Sequence, residues 1–356
     1  MSGQRQIVGF GGRLHTDADG TQKNLAVSSG NLVLARIIER ACVESCRNPG
    51  TLIAPRNQES LRPPALVIMT NGIHNLAESL RRSQNADGGW GYFPGKASRL
   101  EPTSFAALAL AGTAAGAAAA AVLHQWPSAD GLLLERTGGE PNYGFHGVAL
   151  LAMRACRIEH VAGTASLIGA LQRVKGVRLE PSTTGSQDNT LQAWSWIPQT
   201  FSWVEPTAWC LLSLKKWAPT NVGVDPARLD EAERLLINRS CAAGGWNYGN
   251  ADVLGKELRP YVPTSAIALL ALQHRRDHPV VERSVDYLEK HVTSERSGTA
   301  LALALLALRV HGRRDDAVRS ALIEQLPVTM TLQNHAAVAL AAYALGSEHT
   351  YAAFTL

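Results

Sequence analysis

Two glutamates occupy the same place in two copies of a short motif. Glu101 and Glu205 each precede a Pro-Thr pair and an apolar segment, in EPTSFAALAL and EPTAWCLLSL. Pro is well tolerated at the first helical position and Thr can bond a free backbone N–H there, so both motifs predict helix starts. A carboxylate in a first turn interacts favourably with the helix dipole, whereas an enclosed carboxyl can handle a proton. The motif leaves both roles open for the two glutamates.

Further candidates are predicted to lie near these helix starts. His146 lies within a turn of a third apolar helix start, and Asp188 precedes the most aromatic stretch of the chain. A His on an apolar helix can be a satisfied core residue or an acid–base group. A carboxylate beside aromatic rings can stabilise a cation or bind a sugar, although a loop packed on the rim has the same composition. The candidate catalytic residues are therefore Glu101, Glu205, Asp188 and His146, and the candidate substrate-binding residues are Tyr143, Trp196, Trp203, Trp209, Tyr261 and His335.

Six strongly apolar helices are predicted along the chain. They are predicted to begin near Pro102, Tyr143, Pro206, Pro263, Gly298 and Asn334. Six amphipathic segments alternate with them, as expected when an inner layer of helices is covered by an outer one. This alternation predicts an all-α fold, an (α/α)6 toroid whose inner helices run parallel. The longest insertions precede the helices at Pro206 and Pro263, and long loops are where function tends to lie.

Parallel inner helices would bring their N-termini together at one mouth. Unpaired N–H groups give such a mouth a positive potential that suits an anion. We expect Glu101, His146, Asp188 and Glu205 to surround this opening, although about a hundred residues of sequence separate the first from the last. Trp203 and Tyr143 are expected beside them.

The toroid is predicted to span residues 71–350, preceded by an extension, 1–70, with one helix. The extension has no apolar core of the length that a secretory signal needs, so we expect a cytoplasmic protein. Five cysteines, an odd number, fit reduced thiols. Cys42 and Cys46 share a helix face without an obvious second half of a metal site, and Asp17 and Asp19 form an Asp-x-Asp pattern that is common in turns.

The segment LRRSQNADGGWGYFPG resembles the QW motif of the terpenoid cyclases and protein prenyltransferases, with Gln84 and Trp90 in the motif positions. A second segment, LLINRSCAAGGWNYG, is similar around Trp246 but lacks the Gln. The resemblance extends to squalene-hopene cyclase-like repeats of bacterial type. It implies a toroid that binds an isoprenoid or another apolar substrate in its central cavity.

The motifs that carry the chemistry of these families are missing. No Asp-x-Asp-Asp occurs, and the adjacent pair Asp315 and Asp316 opens an outer helix, where carboxylates favour the dipole. No Asp-x-Cys provides the zinc ligands of a prenyltransferase, so we expect no resident metal or other cofactor, and Mg²⁺ only with a diphosphate substrate. Whether the chain is an enzyme therefore stays open.

Two other functions fit the same architecture. A toroid without catalytic activity could bind a lipid or a partner protein. A carbohydrate-active (α/α)6 enzyme would need two carboxylates beside an aromatic groove. The net charge is +4 and the basic residues are scattered, which gives no support to nucleic-acid binding. Peripheral membrane contact and a partner subunit stay open.

Overall fold

The computed structural model describes residues 65–158, 163–181, 187–220, 222–253, 255–346 and 351–356. All of them belong to one compact unit, Arg62–Leu356. The extension helix predicted within residues 1–70, the Asp17–Asp19 pattern and the Cys42–Cys46 pair lie outside the described residues. The domain boundary at residue 70 stays a prediction.

Twelve α-helices form the described part of the chain. Six of them are the helices predicted as the inner set: α2 Leu100–Ala109, α4 Tyr143–Ala155, α6 Val204–Trp217, α8 Val262–Ala271, α10 Gly298–Val310 and α12 His335–Leu345. The other six are the predicted outer set: α1 Ala65–Arg82, α3 Ala114–Leu123, α5 Thr164–Arg173, α7 Pro226–Asn238, α9 Pro279–His291 and α11 Asp316–Leu332. A short hairpin, β1 Asp252–Val253 and β2 Lys256–Glu257, lies between α7 and α8.

The even-numbered helices form a closed ring. Each of them packs against the next along the chain, and α12 packs back against α2. Each odd-numbered helix from α3 to α11 packs against the inner helix before it, while α1 packs against α12. The fold is therefore all-α, with the inner and outer layers of the predicted (α/α)6 toroid.

Residue patterns explain the two layers. Nearly every residue of α10, GTALALALLALRV, is buried, since neighbouring helices cover it on all sides. In α9 the buried residues are Val281, Ser284, Val285 and Leu288, which repeat at helical spacing along one face. Burial of that single face is enough to hold an outer helix against the ring.

Hydrogen bonds join the starts of successive inner helices. We call the loops that lead from an outer helix into an inner helix the rim. The backbone N–H of the first residue of an inner helix donates to a carbonyl of a neighbouring rim loop in four cases. These bonds are Leu100 to Glu135 (2.8 Å), Tyr143 to Trp196 (2.9 Å), Val204 to Tyr248 (2.9 Å) and His335 to Tyr92 (2.9 Å). Because helix-start N–H groups lack intrahelical partners, these bonds both satisfy them and place the inner N-termini on one face.

Three inner helices begin one or two residues before the predicted prolines. Pro102 and Pro206 are the third residues of α2 and α6, and Pro263 is the second residue of α8. The observed starts therefore lie within two residues of the predicted ones. Any position in the first turn tolerates Pro, because none of these N–H groups has an intrahelical acceptor.

The face opposite the rim is covered by a 3₁₀ turn, Tyr351–Phe354. Phe354 is fully buried, and its ring centroid lies 5.5 Å from that of Trp209 and 4.9 Å from that of Tyr343. The side chain of Gln273 donates to the Phe354 carbonyl at 2.8 Å, and the ammonium of Lys216 donates to the Ala352 carbonyl at 3.0 Å. Phe354 therefore fills part of the ring interior from the face opposite the rim.

No helix among the described residues combines the length and apolar character needed to cross a bilayer.

Candidate functional site

The two motif glutamates lie close enough to interact electrostatically. Glu101 lies in the first turn of α2 and Glu205 in the first turn of α6, with α4 between these helices. Both carboxyls are surrounded by protein, yet each residue stays partly exposed to solvent. This combination is typical of residues that line an enclosed space or its mouth. The negative charge of Glu205 raises the pKa of Glu101, so the two carboxyls lie within electrostatic range of each other.

Glu101 is bound by a tyrosine of the rim. The hydroxyl of Tyr92 donates a hydrogen bond to its Oε2. Burial raises the pKa of Glu101 to about 7, the Tyr92 hydrogen bond opposes this shift, and the nearby charges of Glu205 and Glu135 add to it. Burial and the Glu101 charge in turn hold the pKa of the Tyr92 phenol far above its usual value. Tyr92 therefore stays a neutral hydrogen-bond donor.

Glu205 lies beside an aromatic side chain of its own helix. Burial raises its pKa to about 7, and a hydrogen bond from the side chain of Trp209, one turn along α6, opposes the rise. The ring of Trp209 is 5.9 Å from that of Phe105 on α2 in an edge-on arrangement. The second carboxyl is thus bound by a Trp whose ring packs edge-on against Phe105.

A hydrogen bond that recurs in three rim loops, which we call the clasp, positions these glutamates. In three rim loops the backbone N–H of a buried Trp donates to a hydroxyl on the fourth residue of the next inner helix. The pairs are Trp90 with Thr103 (3.0 Å), Trp194 with Thr207 (3.2 Å) and Trp246 with Ser265 (2.9 Å). Glu101 and Glu205 stand two residues before their clasping Thr, so the clasp fixes the turn that carries each carboxyl.

The same tryptophans also fasten the outer helices. Each indole N–H donates to a carbonyl in the last turn of the preceding outer helix, and the backbone N–H of the first residue after that helix donates to the same carbonyl. These carbonyls belong to Leu80 (2.9 Å), Leu171 (2.8 Å) and Leu236 (2.6 Å). One side chain therefore ties the end of an outer helix to the start of an inner one.

The structure gives His146 a role in packing. Its Nε2 accepts from the backbone N–H of Leu133 at 2.6 Å, and its Nδ1 lies 2.6 Å from the carbonyl of Asn142. These partners require a neutral ring with the proton on Nδ1, and burial lowers the pKa of His146 to about 4. With both nitrogens occupied by backbone groups, we leave His146 out of the candidate site.

Asp188 lies on an exposed loop, where its backbone contacts Asn238 and Arg239 at the end of α7. Its Oδ1 accepts from the backbone N–H and the hydroxyl of Thr190, at 2.8 and 2.6 Å, which is the geometry of an Asx turn. The Arg239 guanidinium donates to its carbonyl at 3.1 Å. The side chain stabilises its own turn, and we leave it out of the candidate site as well.

Four predicted substrate-binding residues lie along the rim. Tyr143, at the start of α4, is buried with its ring 6.2 Å from His146. Trp196 packs edge-on against Phe145 at 5.5 Å. Trp203 lies 4.6 Å from Phe201, and Tyr261 is 45% exposed with its ring 5.0 Å from that of Tyr248.

The other two contact the carboxyl site. Trp209 hydrogen-bonds Glu205, as described above. His335 holds the loop that carries Tyr92: its Nδ1 lies 2.8 Å from the Gly91 carbonyl, while its backbone N–H binds Tyr92. It acts on Glu101 through that loop.

Sequence reasoning missed two residues of the site. Tyr92 stands inside the Gly-Gly-Trp segment quoted above, but nothing in that pattern pairs it with Glu101. Trp194 is a third clasping Trp; it lies in the aromatic stretch after Asp188, and no Gly-Gly precedes it. The signal that could have found it is its spacing: Trp90 precedes Thr103 by 13 residues, and Trp194 precedes Thr207 by 13.

Across the described ranges, no cluster of three or more His, Cys, Asp or Glu has the geometry of a metal site. The described cysteines, Cys156, Cys210 and Cys241, are free thiols.

Neither a known protein family nor a curated protein matches the chain. Among solved structures it is similar to the apo type II terpene cyclase MstE from Scytonema, with 17% identity and a TM-score of 0.49 over 75% of this chain and 80% of that one. It is similar to a protein from Actinoplanes, with 13% identity and a TM-score of 0.48 over 74% and 80% of the two chains. An MstE variant in complex with geranylgeranyl dihydroxybenzoate gives 14% identity and a TM-score of 0.49 over 76% and 80%. Similarity at this level carries no conclusion about the activity of this chain.

Proposed function

We propose that the chain binds an isoprenoid or a similar apolar molecule inside the ring and protonates it through Glu101. The observation that supports this is the pair of enclosed carboxyls, Glu101 and Glu205, whose pKa values burial raises to about 7. A general acid works best when its pKa is close to the working pH, because it is then both protonated and able to release its proton. The two-carboxyl site meets that requirement near neutral pH.

The proposed reaction is a cyclisation started by a proton. Glu101 donates its proton to a terminal carbon–carbon double bond, and the cation that forms is attacked by the next double bond, which closes a ring. The last cation loses a proton to the carboxylate of Glu205 or to water. The product is an isomer of the substrate, so the reaction consumes neither oxidant nor reductant.

Each neighbour of the two carboxyls has a part in this proposal. Tyr92 orients the Glu101 carboxyl and stays neutral while the proton leaves. Trp209 and Phe105 offer aromatic faces, which attract cations by about 0.5–2 kcal/mol depending on solvent exposure. A diphosphate substrate would bring Mg²⁺ with it, and the inner-helix N-termini would favour its negative charge.

A binding protein without catalytic activity is the second candidate. Phe354 supports it, because this side chain is fully buried inside the ring and takes up interior space. The carbohydrate-active alternative has less support, since a sugar needs polar partners, whereas the side chain bound to Glu205 is Trp209, which packs against Phe105. Ligand binding and turnover by carboxyl variants separate these readings.

The test uses acyclic isoprenoids of different lengths, such as geranylgeraniol and squalene. Products are identified by mass spectrometry, and binding is followed by tryptophan fluorescence. Glu101→Gln keeps the shape and removes the acid, so it should bind a ligand as the parent does and lose turnover by about a hundred-fold or more. Glu324→Gln, on the exposed side of α11, is the matched control and should behave as the parent does.

Two results would contradict the proposal. Turnover that survives in Glu101→Gln would exclude this residue as the acid. Binding without turnover in the parent, across all isoprenoids offered, would favour the non-catalytic reading.

A further inference from the structure

The segment 351–356, which we call the strap, reaches the centre of the ring. Phe354 is fully buried, and its ring centroid lies 5.5 Å from that of Trp209 on α6 and 4.9 Å from that of Tyr343 on α12. Helices α6 and α12 stand three places apart in a ring of six, so they face each other across it. A side chain that contacts both helices must lie near the axis of the ring.

Two side chains of the ring bind the backbone of the strap. The Gln273 side chain donates to the Phe354 carbonyl at 2.8 Å and accepts from the Leu356 N–H at 3.0 Å. The Lys216 ammonium donates to two further carbonyls of the strap, one of them at 3.0 Å. Because all these bonds go to backbone groups, they fix the place of residue 354 in the ring.

A buried carboxylate anchors these two side chains. Lys215 and His274 are the sequence neighbours of Lys216 and Gln273, and both contact the carboxylate of Glu233 on α7, at 2.8 and 3.0 Å. Glu233 therefore ties the end of α6 to the turn after α8, and the strap is bound where these two elements meet. The site that holds the strap is a fixed part of the ring.

Trp209 connects the strap to the candidate site. Its ring packs against Phe354 at 5.5 Å and edge-on against Phe105 of α2 at 5.9 Å. Trp209 stands four residues after Glu205 on α6, a spacing that puts two side chains on one helix face, and it hydrogen-bonds the Glu205 carboxyl. Two aromatic side chains from other segments thus hold the indole that binds this carboxyl.

We propose that Phe354 is a positioning residue for Glu205, because it keeps the Trp209 indole turned toward the carboxyl from the face opposite the rim. Close packing holds a buried side chain in one rotamer, whereas a gap at position 354 gives the indole room to turn away. Glu205 then loses a hydrogen bond that favours its charged form. The value of that form to catalysis rests on the proposed function, in which Glu205 accepts the last proton. The positioning itself does not.

Titration of the ¹³C-labelled glutamate carboxyls by NMR tests the inference on the full chain without a ligand, with Glu205→Gln assigning the signal. Phe354→Ala should raise the Glu205 pKa from about 7 by about 0.5–1, the shift expected for the loss of one hydrogen bond. Glu101, whose charge interacts with that of Glu205 from α2, is present throughout. Leu322→Ala removes a fully buried side chain from outer helix α11, so it is the matched control for a cavity and should leave the signal in place.

A double-mutant cycle separates positioning from packing. Trp209→Phe should also raise the Glu205 pKa, and Phe354→Ala in that background should add nothing, because the hydrogen bond is already absent. Additive shifts would overturn the inference, as would an unchanged or lower Glu205 pKa in Phe354→Ala. Where Phe354→Ala does not fold, Phe354→Leu leaves a smaller gap and should shift the pKa in the same direction, with the same outcomes deciding.

This titration and the catalytic test can fail separately. A parent that neither binds nor converts an isoprenoid contradicts the proposed function and leaves the Glu205 titration readable. A Glu205 pKa that does not respond to Phe354, in a parent that cyclises its substrate, contradicts the positioning role alone.

Discussion

Tyr92 and Glu101 are joined by a hydrogen bond in which the phenol donates to the carboxyl. Tyr92 belongs to the rim loop before α2, and Glu101 belongs to the first turn of α2 itself. His335, the first residue of α12, holds that loop through its ring and its backbone N–H. The environment of the acid is therefore set by two helices that are far apart in the sequence.

Tyr92→Phe should raise the pKa of Glu101. The hydrogen bond favours the charged carboxylate, so its loss leaves burial unopposed and moves the pKa further above about 7. Titration of the ¹³C-labelled glutamate carboxyls by NMR measures this directly, with Glu101→Gln assigning the signal. Tyr261→Phe removes an exposed phenol elsewhere on the rim and should leave the Glu101 signal in place. An unchanged or lower Glu101 pKa in Tyr92→Phe would contradict the structure.

The two carboxyls should make folding stability depend on pH. Their pKa values of about 7 in the folded chain exceed the ordinary value of 4.5, so the folded chain holds more protons than the unfolded chain between these values. Their contribution is fully present below about pH 4.5 and is lost as the pH rises through about 7. Urea unfolding at several pH values should therefore show the Glu101→Gln, Glu205→Gln double variant losing less stability over this window, by about 1–3 kcal/mol. Glu324→Gln should follow the parent, and a double variant that does the same would refute the assignment.

Gly147 should not tolerate a methyl group. It lies in α4 where the backbone of α6 comes closest, and a Cβ there would overlap the Trp209 carbonyl and lie 2.7 Å from the Cys210 nitrogen. Gly147→Ala should lower the free energy of unfolding by about 2–4 kcal/mol, although Ala favours a helix by about 1 kcal/mol. Gly169→Ala, in outer helix α5, meets only the end of Arg173 at 3.6 Å and should stabilise the chain. Equal effects of the two substitutions on urea unfolding would show that the inner helices are not in this contact.

The clasps should contribute to stability through their hydroxyls. Thr207→Val leaves the buried N–H of Trp194 without its acceptor, which should cost about 1–3 kcal/mol in urea unfolding. Thr207→Ser keeps the hydroxyl and should recover most of that loss. Thr331→Val removes a hydroxyl on the exposed face of α11, so it should change stability by less than about 0.5 kcal/mol. A Thr207→Val variant as stable as Thr207→Ser would mean that the clasp carries no net energy.

The two helical layers could be predicted because they depend on composition that the sequence displays directly. Segments that are apolar on all sides can only be buried, and one-sided segments can only cover them. The clasp partners could not be predicted in the same way. Thr264 aligns with Thr103 in the motif, yet Ser265 binds Trp246, because Pro263 takes the second position of its helix rather than the third.

The candidate site was predictable in part. Glu101 and Glu205 stood out because their motif repeats, and their first-turn positions follow from local rules for Pro and Thr. The sequence could not assign a role to His146, since both of its ring partners are backbone groups brought by the tertiary fold. Tyr92 was hidden for the same reason: a phenol inside a turn has many acceptors available until the ring closes around it.

The bonds between successive inner-helix starts bear on how the ring assembles. The step from α12 to α2 has the same form as the others, although the His335 ring bonds a residue 244 positions earlier, at Gly91. Bonds between inner helices that are neighbours in the sequence can form before the chain is compact. The bond between α12 and α2 can form only after these two distant segments have come together. In the finished ring the backbone bond at this joint has the same form as the bonds at three other joints. During folding the chain therefore has a first and a last inner helix, whereas in the folded ring every inner helix lies between two others.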